Sequence, residues 1–209
     1  WRPGGAVPMT RSPRLPLPAR TRASGVYSVE FAMVFIVFFT VIFFIIEVAR
    51  AMYVVNTLQE VTRRAASAAA NVDFRDPAAK DAARQRAIFR NSPGSLVLGE
   101  PITDAHIRID YLALVRSGTG SLTLTPIPSG AMPTCPARNR LTCLSDPNSP
   151  SCIRFVRVRV CATDDASECQ QVRYTPVMPL VALPLDLPRA TTIATAETLG
   201  FRPGMTPCP

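Results

Sequence analysis

The 209 residues suffice for one globular domain and an anchor, and 47% of them are hydrophobic. A formal charge of +8 raises the question of nucleic acid, because clustered Lys and Arg attract phosphate. Position argues against it: Arg2, Arg11, Arg14, Arg20 and Arg22 supply +5 with no opposing acid, leaving +3 beyond residue 25. Such charge ahead of an apolar segment is an orientation signal, and no nucleic-acid partner is expected.

The chain opens on Trp1, and Met9 fits an initiator. The leader "MTRSPRLPLPARTRASG" is basic, broken by proline and expected to have no fold of its own. Val26 to Ile46 follows, 21 residues with Glu30 as the sole charge. As an α-helix it spans about 31 Å, close to the hydrocarbon thickness of a bilayer. With the arginines before it, the N-terminus is expected in the cytoplasm and the C-terminal bulk outside it.

Three readings fit this segment. A plain signal anchor is the simplest. A secretory signal peptide would be cut at the small residues Ala49 and Ala51, but the apolar run is long for one and the helical pattern continues past the cut. The third reading joins Gly25 to Glu30. A carboxylate at the centre of a membrane helix costs about 2.5–3.5 kcal/mol, and less near an interface. Cleavage after Gly25 makes Val26 the first residue, Glu30 the fifth and Phe31 the sixth. The new α-amino group then lies one helical turn from Glu30, on the same chain or on a neighbouring copy. Either could neutralise the acid and set helices in register.

The stretch "SGVYSVEFAMVFIVFFTVIFFIIEVARAMYVVNTLQEVTRRAASAAA" resembles the N-terminal region of TadE-like minor pseudopilins of the tight-adherence (Tad/Flp) pilus systems. Glu30-Phe31, Ile45-Ile46-Glu47 and Arg50 carry the likeness, with Tyr53, Asn56, Leu58 and Gln59 beyond them. A weaker likeness runs through "VRYTPVMPLVALPLDLPRATTIATAETL". The resemblance implies cutting by a prepilin peptidase at the cytoplasmic membrane face. It also implies a role in assembly, with partners among other pilins and pseudopilins, membrane lipid and the assembly platform of the bacterial inner membrane.

Past Ile46 the helical period persists: Val54, Leu58, Val61, Ala65, Ala68 and Val72 recur every three or four residues. A single helix to about Val72 would be about 70 Å long. Glu47 and Arg50 stand i,i+3 at the membrane exit, where a wet pair is worth a few tenths of a kcal/mol. A second helix is expected in "RDPAAKDAARQRAIFRNSPG", capped by Asp76, opened by Pro77 and ended by Asn91 with Pro93-Gly94. Ala79, Ala83 and Ala87 form its slender face, and Arg84, Arg86 and Arg90 suit the negative end of its dipole.

Alternation takes over at "HIRIDYLALV", "SLTLTPI" and "RFVRVRVCA", with "QVRYTPV" and "ATTIATAETL" completing an antiparallel sheet. Val156, Val158 and Val160 should face a core, and Arg157 and Arg159 solvent. "TPVMPLVALPLDLP" is apolar but cut by Pro176, Pro179, Pro184 and Pro188, which exclude a membrane helix or a central strand. A loop over the core and an exposed apolar surface both fit.

Cys135, Cys143, Cys152, Cys161, Cys169 and Cys208 form an even set after the anchor, which reads as disulfides in an oxidising compartment. Their spacing does not match a zinc site, and no metal or cofactor is expected. Cys161 with Cys169 would staple a hairpin; the partners of the other four stay open. His106 stands without a nucleophile motif, Asp164-Asp165 sit in a turn, and no phosphate loop is present, so an enzyme is not expected.

The expected fold is thus α+β. Residues 1–25 form a cleaved leader, 26–46 the transmembrane helix, 47–75 its amphipathic continuation and 76–209 an exported domain with a Cys-rich loop over 133–169. The expected protein is a non-enzymatic minor pseudopilin, single-pass in the inner membrane, and present in the pilus if incorporated. The alternative is a membrane-anchored or secreted disulfide-bonded binding module.

Overall fold

The computed structural model describes residues 4–5, 24–163, 168–178, 184–206 and 208. The chain divides into two units, 1–41 and 42–209. In the first, helix α1 (Ser24–Ala69) presents its apolar side chains outward from Tyr27 onward. Phe31, Phe35 and Phe39 meet as tilted rings at i,i+4 spacing, with centroids 5.8 and 4.3 Å apart. Thr40 returns its hydroxyl to the Ile36 carbonyl at 2.8 Å, so this side chain is satisfied within the helix.

In the second unit α1 turns amphipathic. Val54, Leu58, Val61 and Ala65 are fully buried. The stripe then rotates onto Ala66, Ala69 and Ala70, and the expected Ala68 and Val72 are only half-buried. Helical drift carries the stripe off Ala68, because a strict three-or-four repeat cannot stay on one line along a helix, and Val72 lies beyond the helix. The helix ends at Ala69, three residues before the expected Val72, where a later segment takes over its free carbonyls. Glu197 and Leu199 amides donate to the Ala70 carbonyl at 3.1 and 3.0 Å, and the Gly200 amide to that of Asn71 at 3.1 Å.

Gly200 has φ +81°, and a Cβ there would lie 2.7 Å from the Asp73 nitrogen. Gly200→Ala is therefore expected to cost about 2 kcal/mol, through both the left-handed backbone and the clash. A urea midpoint indistinguishable from that of the parent chain would contradict this.

Helix α2 (Pro77–Ala87) begins as its sequence dictates, with the Asp76 carboxylate accepting from the Ala78 amide at 2.9 Å. Ala83 and Ala87 are buried. It stops earlier than Asn91. Phe89 adopts φ 63°, which turns Ile88 into the core and lays the Phe89 ring 4.3 Å beneath the Arg64 guanidinium.

Four antiparallel strands follow in the order β2-β1-β3-β4: β1 (Ile107–Arg116), β2 (Leu122–Pro126), β3 (Phe155–Val160) and β4 (Thr191–Thr195). Alternation places Ile107, Tyr111, Val156, Val158 and Val160 in the same buried cluster as Val54, Leu58 and Val61 of α1. Between α1 and β4 the hydroxyls of Thr62 and Thr192 share a 2.9 Å hydrogen bond. On the other face Arg157 and Arg159 do not simply face water. The strand register sets them beside Asp110, whose Oδ2 accepts from them at 3.1 and 2.6 Å, while Arg108 approaches Oδ1 at 3.4 Å.

"QVRYTPV" is not a strand. It forms a single bridge, Arg173 to Asp186, flanked by Tyr174–Leu185 and Leu187–Val172 backbone hydrogen bonds. Pro176 on one side and Pro184 and Pro188 on the other supply no donors to extend it. In the proline-cut segment 175–188 both open readings hold in part: Leu187 is buried, whereas Val177 and Leu185 are exposed. Pro179 and residues 180–183 lie outside the described residues.

The stretch expected as a Cys-rich loop contains a helix, α3 (Pro136–Ser145). Its buried Asn139 accepts from the Ile153 amide at 2.9 Å, which supplies internal support that composition did not suggest. Three disulfides close the region: Cys135–Cys208, Cys143–Cys152 and Cys161–Cys169. The fold is mixed α+β, with a long apolar N-terminal helix and a small antiparallel sheet.

Candidate functional site

Two places on α1 carry the motif residues. At its start, Gly25 is exposed with nothing within 4 Å of an added Cβ, and Val26 continues the helix. Glu30 is also exposed, on a shallow surface with Tyr27, Phe31 and Val34, and forms no ion pair among the described residues. The arginines of the leader, and Asp164 with Asp165, lie outside the described residues.

At the end of the apolar run Glu47 is 1% exposed, and its carboxylate is enclosed by donors. Oε1 accepts from the Tyr174 hydroxyl at 2.5 Å, from Arg50 Nη1 at 3.3 Å and from the Val177 amide at 3.3 Å. The Met178 amide donates to Oε2 at 3.4 Å. Arg50 also donates from Nη1 to the Tyr174 oxygen and the Thr175 carbonyl, both at 2.9 Å. Its Nε reaches the Leu98 carbonyl at 2.9 Å and its Nη2 the Glu100 carbonyl at 3.0 Å. The guanidinium carbon stands 5.2 Å from the Tyr174 ring centroid. Five donor directions leave the fork and nearly all are used, a match that lysine's single ammonium cannot make.

Burial pushes the Glu47 carboxyl up, but the Tyr174 hydroxyl, the two amides and Arg50 together bring it below the ordinary carboxylate range. Burial, then the bond to Glu47, pushes the Tyr174 phenol up. Glu47 is thus an anion, Arg50 a cation and Tyr174 a neutral phenol between them. The i,i+3 pair is not the wet contact worth a few tenths of a kcal/mol: the carboxylate is buried, Arg50 is 12% exposed, and together they fasten α1 to two loops distant in sequence. Tyr174 was missed because nothing in local spacing links it to a residue 127 positions away.

Among the described residues no group of three His, Cys, Asp or Glu side chains could hold a metal ion. His106 is engaged locally: its Nδ1 accepts from the Thr103 amide at 3.1 Å and caps a short 3-10 turn.

These features define a class: an α+β protein whose one long N-terminal helix first supplies a run suited to a membrane and then a wall of the domain core. Residues 25–67 match the family model described as TadE-like protein, so the helix is TadE-like from Gly25 to Ser67. That span holds Gly25, Glu30, Phe31, Glu47 and Arg50, and it ends before the sheet and the cysteines. The matched segment is 43 of the 209 residues. No curated protein and no solved structure matches the chain.

Proposed function

We propose that the chain is a minor pseudopilin that takes part in assembling a Tad/Flp-type pilus after a prepilin peptidase cuts it between Gly25 and Val26. The observation that carries this reading is a TadE-like segment whose apolar run holds one acid, Glu30, five residues after a glycine. The unmatched acid gains a cation when cleavage frees the Val26 amine, on its own helix or on a neighbour's. The helix then packs with those of other pilins at the inner-membrane assembly platform. The arginine-rich leader stays cytoplasmic and the disulfide-bonded domain lies on the oxidising side.

N-terminal sequencing of the mature protein, with and without the peptidase, tests the cut. Val26 at the terminus is expected only when the peptidase is present; Met52 would instead indicate ordinary signal peptidase. Glu30→Ala should leave membrane insertion unchanged and lower piliation about tenfold or more, as expected when an acid placed in the bilayer no longer pairs with a terminal amine. Full piliation in that variant counts against the proposed use of Glu30.

A further inference from the structure

The two loops fastened to Glu47 and Arg50 carry exposed apolar side chains where the apolar run ends. Leu98 is 70% exposed, Val177 60%, Val97 52% and Ile46 51%. Their backbones are held: the Leu98 carbonyl accepts from Arg50, the Val97 carbonyl from the Tyr53 hydroxyl at 3.2 Å, and the Val177 amide donates to Glu47. Side chains on such anchored loops stay directed outward. Leu98 also has φ 55°, a conformation that suits glycine or asparagine and penalises leucine. Neither its backbone nor the core calls for leucine at this position.

Beside these side chains lies a cavity of about 470 Å³ whose walls include Ile46, Arg90, Leu98 and Val177, with Arg50 beside the acids Glu47 and Glu100. Arg90 donates Nε to the Ser95 carbonyl and forms no ion pair among the described residues. Ile46 is both the last residue of the apolar run and part of this wall. A bilayer that receives Ile46 therefore also meets the residues beside it.

We propose that these loops form a membrane-contact collar, in which Val97, Leu98 and Val177 enter the interfacial layer of the leaflet that α1 leaves and Arg90 meets lipid phosphate. Apolar tips with a long basic side chain at their rim are the composition that interfacial binding requires. The surface would fix the domain's height and tilt on the membrane. This inference rests on the apolar run lying in a bilayer, and not on cleavage or pilus assembly.

All the native cysteines are in disulfides, so an introduced cysteine gives a single labelling position. The full chain is placed in vesicles of phosphatidylethanolamine and phosphatidylglycerol, with an environment-sensitive fluorophore at Leu98→Cys or Val177→Cys. Ser67→Cys, about 30 Å beyond Glu47 along α1, serves as the aqueous reference, and Ile36→Cys reports insertion of the run. Labels at 98 and 177 should be quenched by a shallow lipid-borne quencher and at least about threefold less than position 67 by aqueous iodide. Iodide quenching equal to that at 67 overturns the collar while a lipid-quenched Ile36 label keeps the anchor. Protection of 98 and 177 from both quenchers also overturns it, in favour of a protein cover such as a second copy. An Ile36 label untouched by lipid quencher overturns anchor and collar together.

Discussion

Glu47→Ala is expected to lower the stability of the domain by about 3–5 kcal/mol, the range for removing one partner of a buried ion pair. The substitution leaves the largely buried Arg50 charge without its carboxylate and takes the acceptor from the Tyr174 hydroxyl and the Val177 and Met178 amides. At about 2–4 °C per kcal/mol for a domain of this size, the melting temperature should fall by roughly 6–20 °C, read by circular dichroism of the detergent-solubilised chain. Tyr174→Phe should cost less, about 1–3 kcal/mol, because Arg50 and both amides still hold the carboxylate. A shift under about 2 °C in Glu47→Ala would mean that the network is wet and dispensable.

Acid should reproduce part of this loss. The folded state holds the Glu47 carboxyl below its ordinary range, so its contribution is whole above that range. It is lost as pH falls through the folded value, where the carboxylate protonates. The parent chain should therefore lose stability across this acidic window more steeply than Glu47→Gln, which has no such titration. Parallel curves for the two would remove Glu47 from the account.

The second large effect belongs to the disulfide that closes the longest loop. Cys135 and Cys208 stand 73 residues apart, and removing their bond by paired serine substitution should cost about 4.4 kcal/mol by the chain-entropy relation. The same relation assigns about 2.5 kcal/mol to Cys161–Cys169, whose separation is 8. Urea unfolding of the two double variants should show this order. The long bond also joins the residue that opens α3 to the last described residue, with the Thr134 hydroxyl 3.0 Å from the Cys208 sulfur. If the short-loop variant is the less stable, unfolded-chain entropy is not what this bond restricts.

Local physics accounts for much of this molecule. The length of the apolar run, the Asp76-Pro77 start of α2 and the inward valines of β3 are legible because each depends on neighbours within a turn or a two-residue repeat. The TadE-like signature is legible for the same reason, since it lies along one helix. Glu30 belongs here too: its proposed counter-charge is a chain terminus or another copy, so its meaning comes from sequence position.

Closure of the chain over long distances accounts for the rest. Glu47 and Arg50 alone suggest a marginal surface pair, yet folding brings Tyr174, Val177 and Met178 against them and buries the carboxylate. The disulfide partner of Cys135 and the segment that covers the end of α1 are likewise set by packing. Low dielectric and satisfied hydrogen bonds turn a weak contact into a fastening, and both arise when distant segments meet. Spacing along the chain encodes repeat and cap; it does not encode which loop arrives to bury them.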